Sequence, residues 1–284
     1  MAVPSTKCLD HIVHLSPPGK LVETVEEFRK IGFTVLPGGQ HTGGLTGNSL
    51  VVLSDSIYVE LISFVKPVDA YPPGSPERLA RENHPWAVKE PGWIDYAFLG
   101  NGSESVLISE IINNRAKAQG DDALYDRETP GGRTRPDGRV LKWLITPPKR
   151  PAQGTDRRLP LPFFCGDVTP RDLRVPADPP SNTDHPSTAI GIAFVHFQAP
   201  SHKLFDVSRS LDYIAGNSGV TSNDAEREWK LDTVKGNPGR DCRLLLSISQ
   251  KNTLGISEVA FLVQNDPPTK VIQTSYAQLR FVTK

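Results

Sequence analysis

The chain has 284 residues, 37% of them hydrophobic, enough to fill a core of ordinary density in one large domain or two smaller ones. Its 32 Lys and Arg balance its 32 Asp and Glu, so no net field draws it to nucleic acid or to an anionic membrane. No stretch reaches the ~20 apolar residues of a membrane span, the start MAVPSTKCLDHIVH lacks the apolar core of a secretion signal, and Cys8, Cys165 and Cys242 are too scattered for a disulfide framework or a CxxC metal site; a soluble, cytoplasmic protein is expected.

A βαβββ-like order recurs three times. The first copy opens with LDHIVHLS from Leu9, passes a helix predicted over Lys20 to Lys30, and continues with FTVLPGG, NSLVVLS and SIYVELISF. Leu21, Val25, Phe28 and Ile31 give that helix one apolar face, whereas the flanking segments alternate or run apolar with β-branched and aromatic residues, as strands do. The second copy begins IDYAFLG at Ile94, has a helix predicted over Glu104 to Gln119, then ALYDRETPGG, VLKWLIT and LPFFCGD. Pro37-Gly38-Gly39 and Pro130-Gly131-Gly132 are the one string that two copies share. The third begins GIAFVHFQ at Gly191, has a helix predicted over His202 to Ala215, and closes with EWKLDTV, CRLLLSISQ and GISEVAFLV. Ser16 and Ser103 are N-cap types near the first two helices, and Gly32 and Gly120 are suitable stops.

This order divides the chain into module 1 over 1–66, a Pro-rich connector over 67–92, module 2 over 93–167, a second connector over 168–188, and module 3 with a C-terminal tail over 189–284. Proline lacks the amide that a ladder needs, so the connectors are expected to lie over the sheets.

Alternation puts His11, Val13 and Leu15 on one face of the first strand and His14 on the other, and it puts Glu60 beside Tyr58 and Ile62. If both faces line a concavity, an imidazole and a carboxylate meet in an apolar setting, where a bare carboxylate is costly without a cation or hydrogen bonds. That pair suits zinc, iron, manganese or nickel; the plainer alternative is a hydrogen-bonded core histidine and a surface glutamate. His41 stands in the glycine-rich loop GGQHTGGLTGN with Thr46 and Asn48, either a ligand-approaching loop or a hairpin turn. The equivalent loop GGRTRPDGR brings Arg133 and Arg135, and a guanidinium there suits an anionic substrate group. His84 and His185 precede prolines and are expected in loops, and Cys165 is expected in the core. No phosphate loop or dinucleotide fingerprint appears, so no nucleotide cofactor is expected.

LDHIVHLSPP, FTVLPGGQHTGGLTGNSLVVL, YVELISF, RPDG with LKW, and LPFF together resemble the glyoxalase-like proteins of the vicinal oxygen chelate superfamily, most closely their glyoxalase-3-like branch, from about Leu9 to Asp167. The resemblance implies an α+β fold of βαβββ modules paired into a curved-sheet cup, with metal ligands on the first and last strands of each module. An odd third module would cap the cup or pair across a homodimer. His11 and Glu60 match the two ligand positions. Laying the copies on one another puts Tyr96 and Ala193 opposite His11, Glu258 opposite Glu60 and His196 opposite His14. His11, Glu60 and Glu258 form a triad only if copies one and three pair.

Two functions follow. One is a metal-dependent enzyme of lyase, isomerase or dioxygenase type, with the metal on His11, Glu60 and Glu258, Glu60 also catalytic, and His41, Asn48, Tyr96, Arg133 and Trp143 around a small oxygenated, anionic substrate. The other is a metal-free protein whose cup, lined by Tyr58, Tyr96, Phe98 and Trp143, sequesters a small apolar compound. A metal-independent role for Glu60 as general base needs a carboxyl pKa raised by burial.

Overall fold

The structure is a computed structural model that describes residues 3–135, 137–150, 159–223, 226–236, 241–267 and 269–284. The first module is β1 (Cys8–Ser16), α1 (Leu21–Ile31), β2 (Leu36–His41), β3 (Thr46–Val52) and β4 (Tyr58–Phe64). The connector after it holds α2 (Pro76–Glu82), capped by the Ser75 hydroxyl, which accepts the Arg78 amide at 3.2 Å. The second module is β5 (Gly92–Leu99), α3 (Ile108–Ala118), β6 (Thr129–Thr134), β7 (Val140–Thr146) and β8 (Phe163–Asp167). Neither expected serine caps its helix. Lys20 and Leu107 take those places with no side-chain bond, while Gly32 stops α1 in the left-handed region as expected.

β1 pairs in parallel with β4 and antiparallel with β5, β5 pairs in parallel with β8, and β2 meets β6 through Gln40↔Thr134 and His41↔Arg133. The order β1-β4-β3-β2-β6-β7-β8-β5 therefore returns to β1, and the first two modules close into one ring of strands. Both shared glycine pairs sit near the β2–β6 seam. A Cβ at Gly38 would strike the Asn48 side chain, one at Gly39 the Thr134 carbonyl, and one at Gly131 the Trp143 indole, so each is a position where only glycine fits.

After α4 (Arg171–Arg174) come β9 (Ala189–Ala199), α5 (Ser201–Ala215), β10 (Val220–Asn223), β11 (Glu226–Thr233), β12 (Cys242–Ile248), β13 (Gly255–Val263), β14 (Val271–Gln273) and β15 (Gln278–Thr283). β9 pairs in parallel with β12, as β1 does with β4, and antiparallel with β13, as β1 does with β5. β12 is therefore the last strand of the third module, and β13 with β15 repeats the β5–β8 relation as the beginning of a fourth. Among the described residues this sheet stays open, ending at β14 on one side; on the other β11, which also pairs with β10, joins β1 of the ring in parallel through Cys8↔Asp232 and Leu9↔Thr233. The two bodies pack through their helix-bearing faces: Phe28, Phe33 and Ile112 share one core with Phe197, Trp229, Phe261 and Phe281. Among the described residues no helix is long and apolar enough to cross a membrane.

Asp55, at the turn between β3 and β4, lies in this junction, accepting the Ile57 amide at 3.0 Å. Burial pushes its carboxyl from the ordinary 3.8 up to about 7. Between those values the folded chain holds a proton that the unfolded chain releases, so the stability this group contributes is full at low pH and is lost as pH rises toward 7. Asp55→Asn should raise Tm at pH 8 by roughly 2–4 °C per kcal/mol regained and raise it clearly less at pH 5, where only part of that stability has been lost. Equal shifts at both pH values, read by calorimetry, would refute the assignment.

Candidate active site

The ring encloses a cavity of about 390 Å³ lined by His11, His41, Asn48, Tyr58, Glu60, Arg133 and Trp143, all expected from the sequence, and by Trp86, Phe163 and Arg174, which were not expected there. Alternation accounts for the first pair. His11 and Glu60 come from adjacent parallel strands and turn the same way, while Ile12, Val59 and Leu61 turn outward into the core under the helices. His14 also turns outward, between the rings of Phe28 and Trp93, where burial lowers its pKa to about 4.

Glu60 is the hub. Its Oε2 lies 3.8 Å from His11 Nε2 and its Oε1 lies 3.4 Å from His41 Nε2, so two imidazoles face one carboxylate from different strands. The Asn48 amide donates to Oε1 at 2.5 Å, and Asn48 Oδ1 accepts both the Gly39 amide at 3.0 Å and Arg133 Nη1 at 3.2 Å. Burial alone raises the Glu60 carboxyl, but the hydrogen bond and charge of His41, the charge of His11 and the Asn48 amide outweigh it and hold the pKa at about 2. The raised carboxyl that a burial-activated base needs is the opposite of the direction in which these neighbours move Glu60.

Each imidazole is oriented from behind. His11 Nδ1 meets Asp10 Oδ2 at 2.7 Å, and His41 Nδ1 meets Thr46 Oγ1 at 2.9 Å. A carboxylate behind an imidazole fixes the ring and directs its far nitrogen, a device common at metal-ligating histidines. Asp10 is fully buried and is itself clamped: Arg174 donates to both of its oxygens at 2.8 and 3.2 Å, and Arg171 donates at 2.5 Å. Both arginines also reach Asp167, so the Pro-rich connector after β8 locks the first strand. Burial would raise the Asp10 carboxyl, but Arg174 and Arg171 drive it well below the usual range.

The ladder registers correct four expectations. Val13 pairs with both Glu60 and Asp95, and His11 pairs with Ala97, so within the antiparallel β1–β5 pair the position symmetric with His11 is Asp95, not Tyr96. Tyr96 faces the helix-side core with Phe98, and touches a second cavity of about 510 Å³ instead. By the same symmetry Ala97↔Phe163 corresponds to Val13↔Glu60, so an aromatic ring replaces the second carboxylate. Asp95 accepts the Trp86 indole N–H at 2.9 Å, which seats Trp86 on the wall that both cavities share. In the open sheet the equivalent registers put Phe194 at the His11 position, His196 at that of Val13 rather than His14, and Leu245 at that of Glu60. Glu258 corresponds to Asp95 and is paired with Arg280 at 3.0 Å, so the triad of His11, Glu60 and Glu258 is not formed. His84 lines the cavity, whereas His185, expected in a surface loop, is buried between the Thr34 amide and the Val52 carbonyl.

Among the described residues no three or more His, Cys, Asp or Glu side chains form an assembled metal cluster. Two imidazoles turning Nε2 toward one carboxylate, at 3.8 and 3.4 Å, are nonetheless donor types that a divalent transition metal takes.

Paired modules closed around such a cavity, with polar groups on the first and last strands, define the vicinal oxygen chelate architecture. The chain belongs to the glyoxalase-like domain family, whose profile matches residues 9–206. No curated protein matches it. A hypothetical protein from Staphylococcus aureus shares the fold at 13% identity and TM-score 0.68, over 97% of this chain and 99% of that one. A xylose isomerase-like TIM barrel/4-hydroxyphenylpyruvate dioxygenase fusion protein aligns at 14% identity and TM-score 0.48 over 93% of this chain and 37% of that one. A mutant of 4-hydroxymandelate synthase from Streptomyces coelicolor aligns at 10% identity and TM-score 0.45 over 92% and 72% of the two chains.

Asp10→Asn removes one of two carboxylates facing the buried guanidinium of Arg174 and the half-buried one of Arg171. We expect it to cost about 3–5 kcal/mol in urea unfolding, the range for breaking a buried ion pair. A loss under 1 kcal/mol would show that the clamp is not structural.

Proposed function

We propose that the cavity is the active site of a metal-dependent enzyme of the glyoxalase-like class, acting on a small oxygenated anion by lyase, isomerase or dioxygenase chemistry. The observation that carries this reading is the convergence of His11 Nε2 and His41 Nε2 on the Glu60 carboxylate at the cavity wall. His11, His41 and Glu60 would hold the ion, with His41 in place of the displaced Glu258. Zinc, iron, manganese and nickel all accept two imidazoles and a carboxylate. Such an ion supplies Lewis-acid polarisation of a substrate oxygen or activation of water or O₂.

The remaining work falls to the chain itself. Asp10 and Thr46 hold the two rings in place, and Asn48 fixes one Glu60 oxygen while connecting it to Arg133. Tyr58 stacks on His11 with ring centroids 4.6 Å apart, and Phe163 meets it edge-on, so apolar surfaces exclude water around the imidazole. The guanidinium of Arg133 would orient the anionic end of the substrate.

Protein purified without chelators, or reconstituted with each of the four metals, should carry close to one equivalent by elemental analysis. His11→Ala and Glu60→Ala should each abolish it, His41→Ala should weaken it by roughly 10–100-fold, and Glu258→Ala should leave it intact. Absence of metal after both gentle purification and reconstitution would overturn the reading and favour the metal-free sequestering protein.

A further inference from the structure

The charges around the cavity do not all find partners. Arg171 and Arg174 balance Asp10 and Asp167 in one closed network. Arg133 stands outside it. Only 4% exposed, it donates Nη1 to Asn48 Oδ1 and Nη2 to the Arg174 carbonyl, each at 3.2 Å, and among the described residues no carboxylate lies within ion-pair distance of it. Its partners are two neutral oxygens, which use two of its five N–H groups. A guanidinium this deeply buried is costly without an opposing charge, and this one lines the cavity.

The rest of the wall sets the shape of what would supply that charge. Tyr58, Trp86, Trp143 and Phe163 contribute ring faces and edges, and Leu50 and Ile145 fill between them. A volume near 390 Å³ is at the small end of ligand sites. One guanidinium fork matches a single carboxylate in two parallel hydrogen bonds, whereas a phosphate dianion would find too few donors.

We propose that the cavity selects compact aromatic monocarboxylates, with the carboxylate on Arg133 and the ring between Tyr58, Trp143 and Phe163. The proposal rests on this cavity being the substrate site, and it narrows the anion of that reading to one class. Thr42 and the Gly131–Gly132 backbone at the rim leave the carboxylate end near the β2–β6 seam, so the ring reaches inward toward His11.

The test is calorimetric binding to the full chain, metal-loaded and EDTA-treated, of benzoate and 2-naphthoate against benzamide and 2-naphthamide, with acetate and phenyl phosphate as further probes. The aromatic acids should bind at least ten-fold more tightly than their amides, than acetate and than phenyl phosphate. Arg133→Gln, with folding checked by circular dichroism, should erase the acid-over-amide preference. Equal binding of acid and amide by the unmodified protein, or a preference surviving in Arg133→Gln, would overturn the proposal, and the first comparison decides it even if the variant does not fold. Stoichiometric metal without an acid preference would sink this inference alone. An acid preference in protein that takes up no metal would sink the metal reading alone.

Discussion

The seam where β2 meets β6 is the constraint on which the site depends. Two residue pairs, Gln40↔Thr134 and His41↔Arg133, join the halves of the ring there, and the second pair consists of two of the groups that define the cavity. Strands brought this close need small residues. The paired glycines at 38–39 and 131–132 supply them, and the space they leave is occupied by Asn48, the Thr134 carbonyl and the Trp143 indole. Closing the ring and assembling the polar cluster are thus one packing event. A bulky residue in either glycine pair would move His41 from Glu60 and Arg133 from Asn48 together.

The polar cluster persists inside an apolar ring because its charges are organised in two layers. Behind His11, two guanidiniums and two carboxylates neutralise one another and satisfy most of their hydrogen bonds internally, so that layer is complete without a ligand. In front, Glu60 and Arg133 are separated by Asn48 and do not touch, so each retains a field directed at the cavity. On the reading proposed above, a cation would answer one and an anion the other, and a site preorganised in this way would lose little energy when its ligands arrive.

Much of this was legible in the chain. Period-two alternation places His11 and Glu60 on a common face once their segments are known to be strands, and the glycine-rich loop flags His41 and Asn48 because backbone so unencumbered invites close approach. What stayed hidden was long-range. Asp10 reads as an ordinary polar residue until Arg174, 164 positions away, is placed on it. Trp86 belongs to a connector, and its bond to Asp95 with its ring contacts to His84 and Phe163 seats it on the cavity wall. The error at Tyr96 has a physical cause: β1 and β5 pair with register shifts after Leu9 and after Val13, and one residue of slippage exchanges the faces of a strand. The error at Glu258 arose from order. β13 follows β12 directly in the chain but begins a new module, and nothing local distinguishes a closing strand from an opening one.

The open sheet shows why a repeated architecture need not repeat its chemistry. Phe194 and Leu245 stand at the positions of His11 and Glu60, and the neighbouring Glu258 is neutralised by Arg280, so the counterpart of the polar cluster has become packing and a local ion pair. The fourth module is reduced to β13, β14 and β15, with no helix between them among the described residues. The helix-side face it leaves bare is covered by Phe33 from the first module, against Phe261 and Phe281. That substitution ties the two bodies together without a second cup. It also places β9 against the β3–β4 turn, where the Ser54 hydroxyl donates to the Ile190 carbonyl at 2.7 Å. The sheet that lacks the polar cluster thus buttresses the β3–β4 turn, which leads into the strand that carries Glu60.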